Sequence, residues 1–356
     1  MRNFFRLCLA SACLLMYAEA RAAAPAPAAQ DVIACSSAAQ KIDEQRFVAI
    51  GGIEQWITIS GTRCSNPVVL VLHGGPGNPM SPYAHNIYGA WEQDFTLVQW
   101  DQRGAGRTFG RNPASAETAL TIERMTQDGV ELAAYLSRYL KTRKIILLGG
   151  SWGSVLGVHM ALSRPDLFHA YVGTGQLVSN RQNMESSVRK LLALARTAGD
   201  SKTAATIEAL GAPPWTDPRS FGILRRATRI YEAKTSTPAP KAWWVPAPLY
   251  ATAEAEASYE RGEEFSYIQS VGLKGNGMLS NLDLQKLGVT FAIPVFLLQG
   301  SEDLVTTAEV AKQYFDRIAA PKKEYRLLAK TGHDPNPTMI DAQFDILKTR
   351  VLPLVR

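Results

Sequence analysis

The run Lys144-Ile145-Ile146-Leu147-Leu148-Gly149-Gly150-Ser151-Trp152-Gly153-Ser154 constrains this chain more than any other stretch. A short apolar strand ends in Gly-x-Ser-x-Gly, and a helix-forming segment, Val155 to Ser163, follows at once. A serine in that position has to occupy a tight, strained strand-to-helix turn. Gly149 and Gly153 must therefore be small, so that the two backbones can pass. The turn lifts the Ser151 hydroxyl above the end of a sheet. It also puts the Trp152 amide at a helix N-terminus, where partial positive charge stabilises an oxyanion. A Gly-x-Ser-x-Gly recurs by chance, but here it has the strand before it and the helix after it that the motif requires.

The rest of the pattern supplies a sheet for such a turn. Gly51-Gly52 between Phe47–Ile50 and Ile53–Ser60 predicts an antiparallel hairpin at the start. Apolar strands then alternate with helices. The strands are Val68 to Leu72, Thr96 to Trp100, Lys144 to Leu148, Ala170 to Thr174, Pro294 to Gln299 and Glu324 to Leu328. The helices include Thr121 to Leu140, Thr307 to Ile318 and Thr338 to Val351. Such alternation predicts an α/β fold, a mostly parallel sheet with helices on both faces. Residues 179–288 differ in character. They read as helical in Glu185 to Ala198 and Lys202 to Leu210, and are then interrupted by Pro213-Pro214, Pro238, Pro240, Pro246 and Pro248. With no buried strand of their own, they predict an inserted helical lid between a first core part, 46–178, and a second, 289–356.

The N-terminus reads as an export signal over residues 1–22. Arg2 and Arg6 form a basic region, Leu7 to Ala18 an apolar one, and Ala18-Glu19-Ala20 or Ala20-Arg21-Ala22 a cleavage site. The apolar run is too short for a membrane span, so no stable membrane insertion is expected after cleavage. Residues 23–45, opening on an Ala/Pro-rich run, predict a disordered spacer and N-terminal arm. Removal of the first twenty residues, with Arg2, Arg6 and Glu19, would take the net charge from +6 to +5. That mild basicity, without a Lys/Arg run, gives no support for nucleic-acid binding. Of four cysteines, Cys35 and Cys64 would survive cleavage, an even pair in an exported, periplasmic or secreted protein. A bridge between them would close a loop of about 30 residues, worth about 3–4 kcal/mol by chain entropy.

Nucleophilic catalysis by Ser151 needs a base, an acid to orient it, and donors for the oxyanion. Each is offered at the end of a predicted strand. His73-Gly74-Gly75-Pro76-Gly77 follows Val68 to Leu72, where a glycine-rich turn can aim the amides of Gly74 and Gly75 into the site. Asp303 follows Val295 to Gln299, and His333 follows Glu324 to Leu328. Glu302 competes with Asp303 as the acid, but Asp303 stands at the more usual offset of three residues after Gly300. His85, His159 and His169 have no motif around them and read as structural. No His-Glu-x-x-His, Cys-x-x-Cys or strand-borne Gly-x-Gly-x-x-Gly is present, so no metal or cofactor is expected.

His73-Gly74-Gly75-Pro76-Gly77, Asp101-Gln102-Arg103-Gly104-Ala105-Gly106-Arg107-Thr108 and Gly149-Gly150-Ser151-Trp152-Gly153-Ser154 together resemble the proline iminopeptidase (prolyl aminopeptidase) branch of the α/β-hydrolase superfamily. The resemblance covers Phe47 to Leu177 and Val289 to the C-terminus. It implies the α/β-hydrolase fold, with Ser151 as nucleophile and Asp303 and His333 as its partners. The oxyanion hole would be built from the Trp152 amide and that of Gly74 or Gly75, with Arg103 and Arg107 as scaffold. That family grips a substrate's free amino group with lid glutamates, one in a Trp-x-x-Trp-Glu stretch. Here Trp243-Trp244 is followed by Val245-Pro246. Glu185, Glu232, Glu260, Glu263 and Glu264 are the lid carboxylates available, and Trp243, Trp244 and Tyr250 are candidates to line an acyl pocket. With the export signal, the resemblance implies an exported serine hydrolase that works by a Ser-His-Asp triad and an acyl-enzyme, a proline iminopeptidase-like aminopeptidase on short peptides. The alternatives are a carboxylic-ester or lactone hydrolase, or a non-catalytic binding protein on the same fold. The sequence sets no oligomeric state.

Overall fold

The computed structural model describes residues 35–114 and 118–355. The expected export segment and the first part of the spacer lie outside them. Among the described residues, eight strands form one sheet in the order β1-β2-β4-β3-β5-β6-β7-β8. β1 (Ile42–Ile50) and β2 (Ile53–Gly61) make an antiparallel hairpin around Gly51-Gly52, both at positive φ. β2 then pairs antiparallel with β4 (Thr96–Asp101). From β4 on, all neighbours are parallel: β3 (Val68–Leu72), β5 (Ile145–Gly150), β6 (Phe168–Thr174), β7 (Val295–Gly300) and β8 (Lys323–Leu328). Valines, isoleucines and leucines fill β3 and β5 without alternation, because both faces of these central strands are covered.

α1 (Ala84–Tyr88) and α2 (Gly106–Arg111) follow β3 and β4. α3 (Ile122–Tyr139) starts where expected, with the Thr121 side chain accepting the Arg124 N–H. Its apolar face, Met125, Leu132 and Leu136, packs against one side of the sheet together with α4 (Trp152–Ser163). Between β6 and β7 lie α5 (Asn180–Thr197), α6 (Ser201–Glu208), α7 (Pro218–Glu232), α8 (Ala253–Val271) and the short α9 (Leu284–Leu287). After β7 come α10 (Ala308–Arg317), then α11 (Pro337–Ile346), a π-helical turn over Leu347–Val351 and α12 (Leu352–Val355). α11 covers the second face of the sheet through Met339, Ile340 and Ile346.

Two expectations need correction. β1 begins at Ile42, ahead of the expected start of the core at 46, so the end of the N-terminal arm is an edge strand, paired from Ile42 opposite Gly61. Its outer positions, Asp43, Gln45 and Lys41 before them, face solvent, which hid the strand behind a polar composition. In the lid, the prolines bracket two long helices instead of dissolving them. Pro218 stands in the first turn of α7 behind Asp217, whose side chain accepts the Arg219 N–H. Helix α8 binds the core directly: Ser266 Oγ donates to the Gly104 carbonyl at 2.7 Å, and Gly262 leaves no side chain between them.

Cys35 and Cys64 are disulfide-bonded, 29 residues apart, with Cα atoms separated by 6.0 Å. The bond fastens the segment before β1 to the turn before β3. Reduction is expected to lower unfolding free energy by about 3 kcal/mol in the chain-entropy account. Urea denaturation with and without a reductant measures this. An unchanged midpoint would mean that the bond adds nothing.

Candidate active site

Ser151 takes φ 51° and ψ −119°, a backbone state that costs a non-glycine residue on the order of 1–3 kcal/mol. The surroundings enforce it. The Ser151 N–H donates to the Thr174 carbonyl on β6 at 3.0 Å, and the Ser154 N–H caps the Ser151 carbonyl at 2.9 Å. A β-carbon on Gly153 would collide with the Leu72 carbonyl, and one on Gly149 with that of Gly153. Both glycines are therefore steric requirements of the turn. The Trp152 N–H, at the first position of α4, has no partner within the helix. Gly74 faces it across the serine, where a β-carbon would stand 3.3 Å from Ser151 Cβ. Gly75 has φ 107° and leads into a cis bond to Pro76.

The ends of β7 and β8 bring the remaining groups. His333 Nε2 lies 2.9 Å from Ser151 Oγ, and His333 Nδ1 lies 3.0 Å from Asp303 Oδ2. Asp303 is 1 % exposed, yet fully satisfied. Its Oδ1 accepts the N–H groups of Val305 and Thr306 at 2.8 and 2.7 Å; its Oδ2 also accepts Thr306 Oγ1 at 2.7 Å and Gln299 Nε2 at 2.9 Å. Burial opposes its ionisation, but the facing His333 and these bonds hold the carboxyl below the usual range. For His333, burial lowers the imidazole, but the Asp303 charge and hydrogen bond more than offset this, so it lies above its ordinary value. Glu302 points elsewhere, accepting Thr235 Oγ1 at 3.0 Å. His85 is exposed and His159 is half-buried on α4, neither of them at the cavity.

The three sequence motifs meet in one polar cluster. The buried His73 accepts the Gln102 N–H at Nε2, 3.2 Å away, and its Nδ1 contacts the Gly74 carbonyl at 2.8 Å. Gln102 Nε2 donates to the His73 carbonyl at 3.2 Å, and Gln102 Oε1 accepts Trp152 Nε1 at 2.8 Å. Burial lowers the His73 pKa to about 4, so the ring is neutral and structural at pH 7. Arg103 is held by Asp128 at 2.7 Å, and the Arg107 guanidinium stacks on Trp56 at 4.4 Å from the ring centroid. Both are tied into the scaffold.

Above Ser151 opens a cavity of about 1250 Å3, walled by the Gly74-Gly75 turn, the His333 loop and helices α5, α7 and α8. Glu260, Glu263 and Glu264 lie along it on α8, and Asn78 Nδ2 donates to Glu263 at 2.6 Å. Trp244 is at the wall, 41 % exposed and edge-on to Tyr83. Two candidates are not there. Glu185 is solvated on the outer face of α5, paired with Arg181 at 3.7 Å, and Trp243 packs inward against the core beneath α1. Glu232 reaches the cavity wall, but its oxygens are taken by backbone amides. Tyr250 is buried, with its hydroxyl accepting Trp56 Nε1 at 2.9 Å. Gln299 and Thr306, which brace Asp303, escaped sequence reasoning. The offset of Thr306, three residues past Asp303, is the one available signal.

Residues 67–338 match the family described as alpha/beta hydrolase fold. A probable aminopeptidase of Bacillus subtilis, YbaC, is 29 % identical over 298 residues, 81 % of this chain and 90 % of that protein. A probable proline iminopeptidase of Streptomyces coelicolor is 26 % identical over 291 residues, 77 % of this chain and 86 % of its own length. Among solved structures, a proline iminopeptidase of Mycobacterium smegmatis superposes with a TM-score of 0.64 at 20 % identity, covering 88 % of this chain and 99 % of that one. An esterase of Exiguobacterium antarcticum superposes at 0.55 with 18 % identity, covering 88 % and 100 %. These superpositions speak for the fold.

Steric exclusion at the elbow has a measurable contrast elsewhere. Gly153→Ala is expected to cost more than about 3 kcal/mol of stability, since backbone rather than a flexible side chain blocks the new methyl. Gly222→Ala, inside α7 with nothing closer than 3.7 Å, is expected to gain about 0.5–1 kcal/mol. Denaturant midpoints of the two variants check both signs.

Proposed function

The chain belongs to the alpha/beta hydrolase fold family, and from that premise we propose that it is an exported serine hydrolase acting through a covalent acyl-enzyme. The observation that carries this is the line of contacts Ser151 Oγ to His333 Nε2 and His333 Nδ1 to Asp303, at 2.9 and 3.0 Å. His333 takes the Ser151 proton as the hydroxyl attacks a carbonyl carbon, and Asp303 stabilises the imidazolium that forms. The amides of Trp152 and Gly74 or Gly75 hold the tetrahedral oxyanion. The leaving group departs with the His333 proton, and water activated by the same imidazole releases the acyl group. Export rests on the Arg2 to Ala22 segment and agrees with the Cys35–Cys64 bond.

For the substrate, we propose a short peptide or amino-acid amide with a free N-terminus. The names of the relatives support it, as do the three carboxylates of α8 along the cavity, where an ammonium would find paired charge. The second reading is an ester or lactone, which needs no such pairing. It draws on the apolar side of the same cavity, Met80, Tyr83, Trp244 and Met339.

A fluorophosphonate probe should label the protein once, and Ser151→Ala should abolish labelling in a folded protein; persistent labelling sinks the mechanism. Because protonated His333 cannot act as base, kcat/KM should rise with pH through the His333 pKa, with the acid limb above the ordinary imidazole value of about 6.5. Asp303→Asn should cut kcat by about 10³- to 10⁴-fold and move that limb down, while Glu302→Gln leaves it in place.

Proline and alanine arylamides, with free and blocked amines, separate the two substrate readings when run beside aryl esters. Cleavage confined to free amines, with KM raised by neutralising Glu260, Glu263 or Glu264, supports the aminopeptidase. Equal turnover of blocked amides and esters assigns the enzyme to neutral acyl groups.

A further inference from the structure

Glu232 closes helix α7 of the lid and is 5 % exposed. A carboxylate so buried is costly unless its oxygens are satisfied, and here both accept backbone amides. Oε1 accepts the Leu304 N–H at 2.7 Å, one residue beyond Asp303; Oε2 accepts the N–H of His333 itself at 3.3 Å. A single lid side chain thus spans the two loops that carry the acid and the base. The chain around it repeats the tie. Arg225, two turns earlier on α7, stands 3.7 Å from Glu232 and 2.5 Å from Asp334, the residue after His333. The Thr237 N–H donates to the Lys330 carbonyl at 2.8 Å. Gly332 admits the carboxylate, since a β-carbon there would stand 3.2 Å from Glu232 Oε2.

We propose that Glu232 is a positioning residue, which fixes the Asp303 and His333 loops against each other and makes their alignment with Ser151 depend on the seating of helix α7. This rests on the Ser151–His333–Asp303 reading above. It gives Glu232 a part beyond gripping a substrate ammonium, because each of its oxygens already accepts a backbone amide of one of the two loops. The groups facing it are Asp303 and His333 on the core loops and Arg225 on its own helix. Its negative charge adds to that of Asp303 in favouring the His333 imidazolium, which Arg225 opposes.

Glu232→Gln keeps the shape but offers one acceptor where two amides need partners. On an aryl ester without an amine and on a free-amine arylamide alike, kcat should fall by about 10- to 100-fold with KM nearly unchanged. The acid limb of kcat/KM should move to lower pH, a shift that loss of packing alone would not produce. Glu232→Asp keeps the charge and withdraws the reach; it should lose kcat on both substrates while the acid limb stays, and it serves if the glutamine variant does not fold. A rise in KM confined to the free-amine substrate, with ester kinetics intact, would overturn the proposal in favour of substrate binding. Kinetics and acid limb like those of the unaltered protein would overturn it too. Ser151→Ala, run in parallel, separates the failures: activity surviving there removes the underlying mechanism, whereas its loss beside normal Glu232 variants removes only the positioning role.

Discussion

The conformation of Ser151 is the constraint on which the rest of the site depends. A serine at φ 51° is held there by what surrounds it. The strand end of β5 supplies the approach, the start of α4 the exit, and the absence of side chains at Gly149 and Gly153 the clearance. In exchange the hydroxyl stands clear of the sheet beside the first amide of a helix, where no backbone partner competes for developing negative charge. The strain is affordable because the elbow is packed on every side. Trp152 is fully buried, and its indole N–H is fixed by Gln102, which His73 holds in turn. Three motifs scattered over some eighty residues of sequence are therefore one hydrogen-bonded object.

A second polar assembly backs the Asp303 carboxylate, which faces His333. From Asp303 it runs to Gln299, whose Oε1 accepts the Gln176 N–H at 3.1 Å, and from Gln176 Nε2 to Ser154 Oγ at 3.1 Å. Ser154 Oγ donates to the Ser151 carbonyl at 2.6 Å and closes the circuit at the elbow. Uncharged glutamines suit this place: each donates and accepts, so a buried chain can be satisfied without adding charge. The outcome is an ionised Asp303 in a dry setting, fixed before any substrate arrives. Preorganisation of this kind lets a carboxylate act on an imidazole without the reorganisation that water would demand.

The core was legible in the sequence because its signals are strong and local. Unbroken apolar runs such as Val68 to Leu72 have no stable place except a strand covered on both faces, and Gly51-Gly52 marks the hairpin. Ser151 and Asp303 stand out as candidates because each follows such a strand, and His333 because it follows the last one, an edge strand of mixed composition. Where the signal depended on partners in space, it faded. β1 is polar along its solvent face, so only its pairing with β2 identifies its first residues. Helix α8 spreads its small and apolar residues around its circumference, packing on core loops on one side and lining the cavity on another. It therefore shows no stripe. Glu185 and Glu232 looked alike as lid glutamates, and only the fold sends one to solvent and the other between two loops. Gln299 is unremarkable at the end of a strand until Asp303 folds back onto it.

The insertion of the lid between β6 and β7 has a further consequence in time. Ser151 precedes His333 by 182 residues, and the whole of α5 to α9 is made between them. A growing or truncated chain that stops before β7 contains the residues of β1 to β6, Ser151 among them, but neither β7, which pairs with β6, nor β8, which pairs with β7. On the proposed mechanism such a fragment holds a nucleophile without a base. The last two strands must dock in parallel register, across a long excursion of chain, before the hydroxyl can be deprotonated. On that reading, nucleophile and base meet only once the last two strands have joined the sheet.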